Sequence, residues 1–184
     1  MSKYLTIRSI HRGIKLKLIE GYEWTPKLNL IDQGKLHFIK NNFSDEVVSG
    51  SFALSMFFDL KRKPDDIDII SLDPNKYGEL EAYQYPYDCD YVGSKKFKIG
   101  GFFSKYQKVD FFNYKTNFLE WNGIKIQDPF DIIKKKSNII LESDSLIVKE
   151  KHSIDLMIVA ESIINDRSTD RIESHKVPSF CLEY

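Results

Sequence analysis

Residues 47–70, "VVSGSFALSMFFDLKRKPDDIDII", constrain the fold of this chain more than any other segment. The β-branched residues before Gly50 predict a short strand, and the run that follows is apolar nearly all round, as in a buried helix. Pro64 cannot continue that helix. In the next run, "DDIDIIS", side chains alternate across a strand, so Asp66 and Asp68 share one face. The segment therefore predicts a strand, a buried helix and a second strand that carries two carboxylates.

The rest of the chain adds further strands and then helices. Upstream, Asp32 is placed to cap a helix over "QGKLHFIKNNF", and residues 1–30 are expected to form an irregular arm. Downstream, "KKFKIGGFF" and "YQKVDFFNY" predict an antiparallel hairpin, and "WNGIKIQ" predicts a short strand with a turn at Asn122-Gly123. Helices are predicted for "DPFDIIKKKSNIILE", where Pro129 follows the capping Asp128, and for "KEKHSIDLMIVAESIIND".

Two helices that follow a mixed set of strands indicate an α/β (α+β) fold with a short helical segment at its C-terminus. We expect one compact domain in three parts. Residues 1–44 form an arm and a helix that pack on the core, residues 45–127 form the core, and residues 128–184 form the C-terminal helices and tail.

Composition restricts the class of protein. Lys and Arg together number 27, as do Asp and Glu, so the formal net charge is zero and a dedicated nucleic-acid coat is disfavoured. Local basic patches at residues 95–96 and 134–136 remain compatible with that balance. The two cysteines predict no disulfide framework or zinc site. No secretory leader or apolar run of about 18 residues is found, so a cytoplasmic protein outside the membrane is expected.

Acidic side chains and a Gly-Ser turn suggest chemistry at the core strands. Gly50-Ser51 opens the predicted helix and would present backbone N–H groups to an anion. Asp110 interrupts the apolar strand "KVDFF". Three carboxylates beside an anion site suit two divalent cations, Mg²⁺ or Mn²⁺, that bridge a triphosphate. Each motif alone is more often a solvated strand edge or a plain turn, whereas their combined order is more specific.

This order of motifs resembles the nucleotidyltransferase superfamily with the DNA polymerase β-type core. Within it, the chain is most similar to the abortive-infection toxin-like and minimal nucleotidyltransferases. Gly50-Ser51 is similar to the family's Gly-Gly or Gly-Ser turn, and Arg62 precedes the Asp-hydrophobic-Asp motif by the same spacing. "PFDIIKKK" and "KHSIDL" are similar to two later helical motifs. Those two motifs contribute Lys136, Lys151, His152 and Asp155.

The resemblance implies a mixed sheet flanked by helices and a metal-dependent activity. A nucleoside monophosphate would pass from an NTP to an acceptor hydroxyl. Asp66 and Asp68 would hold both ions, and Asp110 would bind the ion that activates the acceptor. Gly50, Ser51, Arg62 and Lys136 would bind the nucleotide's phosphates. Lys151, His152 and Asp155 are secondary candidates at the edge of the site.

Partners and alternatives stay open at this stage. The acceptor could be an RNA end such as that of a tRNA, a protein or a small molecule, with a role in phage defence or a toxin–antitoxin pair. A cognate protein partner or a homo-oligomer is compatible with the chain. The alternatives are a catalytically silent scaffold or antitoxin-like module with the same fold, and a structural protein with surface acids. The Tyr-rich residues 77–91 could stack on a base or cover the sheet.

Overall fold

The computed structural model describes residues 24–27, 30–82, 90–99 and 105–174, without the side chains of 167–174. Strands and helices alternate irregularly along these ranges. In chain order they are α1 (Gln33–Asn42), β1 (Val47–Ser49), α2 (Gly50–Ser55), β2 (Ile67–Ile70), a 3₁₀ turn (Pro74–Tyr77), β3 (Tyr91–Ile99), β4 (Lys105–Phe112), β5 (Phe118–Trp121), β6 (Ile124–Gln127), α3 (Pro129–Glu142) and α4 (Leu146–Ser174).

The six strands form one mixed sheet in the order β3-β4-β2-β1-β6-β5. The neighbours β2 and β4 are parallel, as are β1 and β6, and the other three pairs are antiparallel. Helices flank this sheet, and the chain's last described element is the long helix α4. The predicted α+β class is confirmed. None of the described helices is both long and apolar enough to cross a bilayer.

Local sequence signals account for several of these elements. The Asp32 side chain caps α1 by accepting a hydrogen bond from the Lys35 N–H at 3.1 Å. The Asp128 side chain caps α3 in the same way, by accepting a hydrogen bond from the Phe130 N–H at 2.8 Å. Pro129 lies in the first turn of this helix. At the β5–β6 turn, Asn122 has a φ of 50° and Gly123 a φ of 73°, the left-handed values that a tight hairpin turn needs.

The core lies on one face of the central strands. Ile67 and Ile69 of β2 are fully buried there, together with Val109 and Phe111 of β4. The Phe111 ring contacts the rings of Phe43 just after α1, Phe97 of β3 and Tyr77 of the 3₁₀ turn. Because side chains alternate along a strand, the residues between these core positions point to the opposite face, which holds Asp68 and Asp110.

Some elements differ from the sequence-based expectations. The helix that begins at Gly50 ends at Ser55 instead of continuing to about residue 60, and the Lys27 N–H bonds the Met56 carbonyl just beyond it at 2.7 Å. Strand β3 begins at Tyr91, inside the segment expected to be a loop, because it pairs with β4 up to Phe112. The helix α4 extends to Ser174, beyond the predicted end near residue 166.

Several predictions lie outside the described residues. They concern the arm over residues 1–23, most of the Tyr-rich segment with Cys89, and the tail over residues 175–184 with Cys181.

Candidate functional site

Three aspartates meet on the sheet face opposite the core. Asp68 of β2 and Asp110 of β4 are register partners on neighbouring parallel strands, so their side chains lie next to each other. Asp66 immediately precedes β2 and lies on the same face as Asp68. One carboxylate oxygen from each of the three lies within 4.8 Å of the other two. The structure therefore brings together the two acids that strand alternation singled out and Asp110, the acid that interrupts an apolar strand.

Burial and mutual repulsion disfavour the charged forms of these acids. Burial raises the pKa of Asp68 to about 7, and the charges of Asp66 and Asp110 add to that rise. Burial also raises the pKa of Asp110, although the Lys108 ammonium opposes the shift. Carboxylates that repel one another in a desolvated cleft are stabilised by a bound cation. The acid cluster thus fits a site for a divalent metal.

Asp110 provides a second observation that fits a metal. Its side chain is only 3% exposed, and the Lys108 Nζ lies 2.9 Å from each of its two oxygens. The geometry gives a hydrogen bond to Oδ2 alone, so the buried Oδ1 accepts none within the described part of the chain. A buried oxygen without a hydrogen bond costs free energy unless a ligand satisfies it. Oxygen is the donor that Mg²⁺ prefers.

Gly50 allows the start of α2 to lie against Asp68. Its φ is +65°, a left-handed value that glycine adopts at little cost. A Cβ atom at this position would lie 1.5 Å from the Asp68 Oδ2. Ser49, one residue earlier, is the register partner of Asp68 across β1 and β2. The Gly-Ser turn is therefore part of the acid cluster's packing, and its glycine is required both by the backbone angle and by the space.

Ser51 lies at the centre of a buried ionic network. Asp155 of α4 is fully buried and accepts hydrogen bonds from the Arg62 Nε at 3.0 Å and Nη2 at 2.7 Å, and from the Lys136 Nζ at 3.0 Å. The same two cationic groups donate to the Ser51 Oγ, at 2.8 Å and 3.0 Å. The network joins four residues from distant parts of the chain. It contains two cationic side chains, those of Arg62 and Lys136, and one carboxylate.

The pKa shifts in this network follow from its burial and pairing. Burial lowers the pKa of Lys136, and the neighbouring Asp155 opposes that shift. Burial would raise the pKa of Asp155, but its hydrogen bonds and charge interactions with Arg62 and Lys136 outweigh burial and lower it. Asp155 is therefore a positioning group that keeps both cations beside Ser51.

His152 supports the same lysine. Burial first, and then the charges of Lys136 and Lys151, lower the pKa of His152 to about 3, so its ring is neutral at pH 7. Its Nδ1 lies 3.2 Å from the Lys136 Nζ, and because an ammonium only donates, Nδ1 is the acceptor. Lys151 lines the same cleft from the exposed side of α4.

The cleft above the acids has an apolar wall that sequence reasoning missed. Phe112 and Tyr114 follow Asp110 at two-residue steps, so strand alternation could have placed Phe112 on the acids' face. The Lys135 Nζ lies 3.9 Å from the Tyr114 ring centroid and 4.8 Å from that of Phe112, within cation–π range. Of the triple lysine, the sequence had singled out Lys136 alone. The remaining apolar lining comes from the helices, at Ile132, Ile139 and Val148.

Comparisons with protein-family models, curated proteins and solved structures found no match.

Proposed function

We propose that this protein is a metal-dependent nucleotidyltransferase. The observation that carries the proposal is the cluster of Asp66, Asp68 and Asp110, whose carboxylate oxygens lie within 4.8 Å of one another. The raised pKa values of Asp68 and Asp110, and the Asp110 Oδ1 that accepts no hydrogen bond in the described part of the chain, support a bound metal cation. When bound, Mg²⁺ or Mn²⁺ would offset the negative charge of a triphosphate and lower the pKa of a coordinated hydroxyl.

The proposed reaction transfers a nucleoside monophosphate from the NTP to the acceptor. The acceptor's hydroxyl oxygen forms a bond to the α-phosphorus of the NTP as the bond from that phosphorus to the α,β-bridging oxygen breaks. Pyrophosphate leaves with the electron pair, and the hydroxyl proton passes to the Asp110 carboxylate or to water beside it. Asp110 is the candidate for this step because its carboxylate lies beside those of Asp66 and Asp68, where the activated hydroxyl would be held.

The residues around Ser51 would receive the leaving pyrophosphate. Arg62 and Lys136 bring two positive charges to the Ser51 hydroxyl, of which the Asp155 carboxylate balances one. The remaining positive charge can offset charge that develops on the leaving group. The apolar wall at Phe112 and Tyr114 lies in the same cleft and offers a surface for the nucleobase.

The alternative is a silent scaffold of the same fold. A scaffold gains nothing from three clustered carboxylates, Asp110 buried and Asp66 and Asp68 partly buried, that repel one another. Such groups lower the stability of the folded state unless a cation compensates them. The acid cluster therefore favours the enzyme over the scaffold.

Metal and nucleotide titrations test the proposal. We expect Mn²⁺ or Mg²⁺ to bind the protein, and Asp68→Asn to abolish both metal binding and metal-dependent NTP binding in isothermal titration calorimetry. Asp65→Asn is the matched control, because Asp65 adjoins the cluster in sequence but is exposed. Asp110→Asn should keep most metal–NTP affinity while transfer falls by about 10²-fold or more. If wild-type protein binds neither metal nor NTP, the enzyme is ruled out in favour of the scaffold.

A further inference from the structure

The β3–β4 hairpin carries a strip of basic and aromatic side chains on the same face as the acids. Across this antiparallel pair, Ser94 lies opposite Asp110, Lys96 opposite Lys108, and Lys98 opposite Tyr106. Directly opposed residues project to the same face of a sheet. We call Lys96, Lys98, Tyr106 and Lys108 the basic strip.

Three residues of the basic strip are exposed to solvent, and the fourth, Lys108, is partly buried beside Asp110. Lys96 and Lys98 are exposed, and the Tyr106 side chain is 58% exposed. Within the described ranges, no carboxylate lies at ion-pair distance from Lys96 or Lys98. Because the whole chain has zero formal net charge, the excess of positive charge on this strip is a local feature of the hairpin.

The strip leads directly to the proposed metal site. Lys108 belongs to the strip and also pairs with Asp110, which places the end of the strip at the acid cluster. From Asp110 to Tyr106 the strand runs four residues, about 14 Å at ~3.4 Å per residue. An extended molecule that lies along the strip would therefore present its terminus to the acids. A small-molecule acceptor would use only the end of such a surface.

We infer that the basic strip binds the acceptor, and that the acceptor is the end of a single-stranded nucleic acid. This inference rests on the proposed transferase function and specifies its substrate class. Lysines neutralise phosphates along the backbone, and an exposed aromatic ring such as Tyr106 offers a stacking surface for a base. A purely acidic protein surface would be attracted by the lysines but would gain nothing specific from the ring.

Binding of oligonucleotides without NTP tests the inference. The probes are fluorescent single-stranded RNA and DNA of roughly 10 nucleotides with a free 3′ end, followed by anisotropy at several salt concentrations. We expect the double variant Lys96→Glu/Lys98→Glu to weaken binding at least tenfold and to flatten the salt dependence. Tyr106→Ala should weaken binding by about tenfold through lost stacking.

Lys105→Glu is the matched control, because Lys105 is exposed on the same strand but on the other face. It should change oligonucleotide affinity by no more than about twofold. All variants should keep wild-type affinity for Mg²⁺ with ATP, which separates this test from that of the proposed function.

Three results would overturn the inference. The first is wild-type protein that binds metal and ATP but no oligonucleotide. The second is equal weakening by Lys105→Glu and by the double reversal. The third is poly-glutamate that competes as well as the oligonucleotide, with no effect of Tyr106→Ala, which would indicate an acidic protein partner instead.

Discussion

At the scale of single residues, the site depends on positions where a different residue would displace a neighbouring side chain. Gly50 is the clearest case, because both its backbone angle and the nearby Asp68 carboxylate exclude a side chain. The sequence predicted a functional role for Gly50 as an anion-binding turn. Its contact with Asp68 could not be predicted, because it depends on the register between β1 and β2.

We predict that Gly50→Ala weakens metal binding at least tenfold, because the added Cβ must displace the Asp68 carboxylate. Gly123→Ala is the control: its φ is +73°, but no heavy atom lies within 4 Å of the added Cβ. Both variants pay roughly 1 kcal/mol for the left-handed angle. Calorimetric metal titration of the two should show a loss for Gly50→Ala alone. Equal affinities would mean that the turn does not position Asp68.

A second residue-scale prediction concerns Asp155. Asp155→Asn removes the only carboxylate in the described network that pairs with both Arg62 and Lys136, and Lys136 is almost fully buried. The free energy of unfolding should fall by about 3 kcal/mol. Asp59→Asn breaks a solvent-exposed pair with Lys61 and should leave stability unchanged. Urea unfolding measures both, and equal stabilities would contradict the buried network.

At the scale of elements, two strands and one helix decide which groups meet. The alternation in "DDIDIIS" was enough to predict that Asp66 and Asp68 share a face, and Asp110 stood out as an acid that interrupts an apolar strand. That β2 and β4 are parallel neighbours depends on the fold of the whole sheet, and this order brings Asp68 beside Asp110. On α3, Lys136 was singled out by the resemblance of "PFDIIKKK" to a helical motif of the nucleotidyltransferase superfamily. The proximity of Lys135 to two aromatic rings depends on how α3 packs and was missed.

The acids on β2 and β4 predict a pH dependence in metal-free buffer. Asp68 has a pKa of about 7 in the folded state against 3.8 ordinarily, so between these values the folded protein binds more protons than the unfolded chain. The free energy of unfolding should therefore fall as the pH rises from about 4 to about 7. Asp68→Asn should flatten this part of the profile, and saturating Mg²⁺ should reduce it. Wild-type stability that rises through this window would contradict the assignment.

The helix α3 predicts different effects for adjacent lysines. Lys136→Ala should weaken NTP binding by about tenfold or more, because a buried ammonium beside Ser51 is lost. Lys134→Ala should have no measurable effect, because Lys134 is exposed and does not line the acid cleft. Nucleotide titrations of the two variants, with folding checked by circular dichroism, distinguish them. Small and equal effects would mean that Lys136 has only a structural role.

At the scale of the whole molecule, one sheet separates the main hydrophobic core from the candidate site. Its apolar face carries the main core, and its other face carries the acids, the ionic network and the basic strip. The mixed α+β class was predictable from the order of periodic segments. The strand order was not, because the pairing of β1 with β6 and of β2 with β4 joins segments that are distant in sequence. The basic strip was missed because it needs the β3–β4 register.

The central claim is that the α-phosphorus of an NTP, and not its γ-phosphorus, is transferred to an acceptor. Wild-type protein is incubated with Mg²⁺, cell extract and either α-labelled or γ-labelled NTP, and the labelled macromolecules are separated. We expect label from the α-position alone to become bound to nucleic acid, pyrophosphate to be released, and Asp68→Asn to abolish both. Transfer of the γ-label, or the same α-labelling with Asp68→Asn as with wild-type protein, would contradict it.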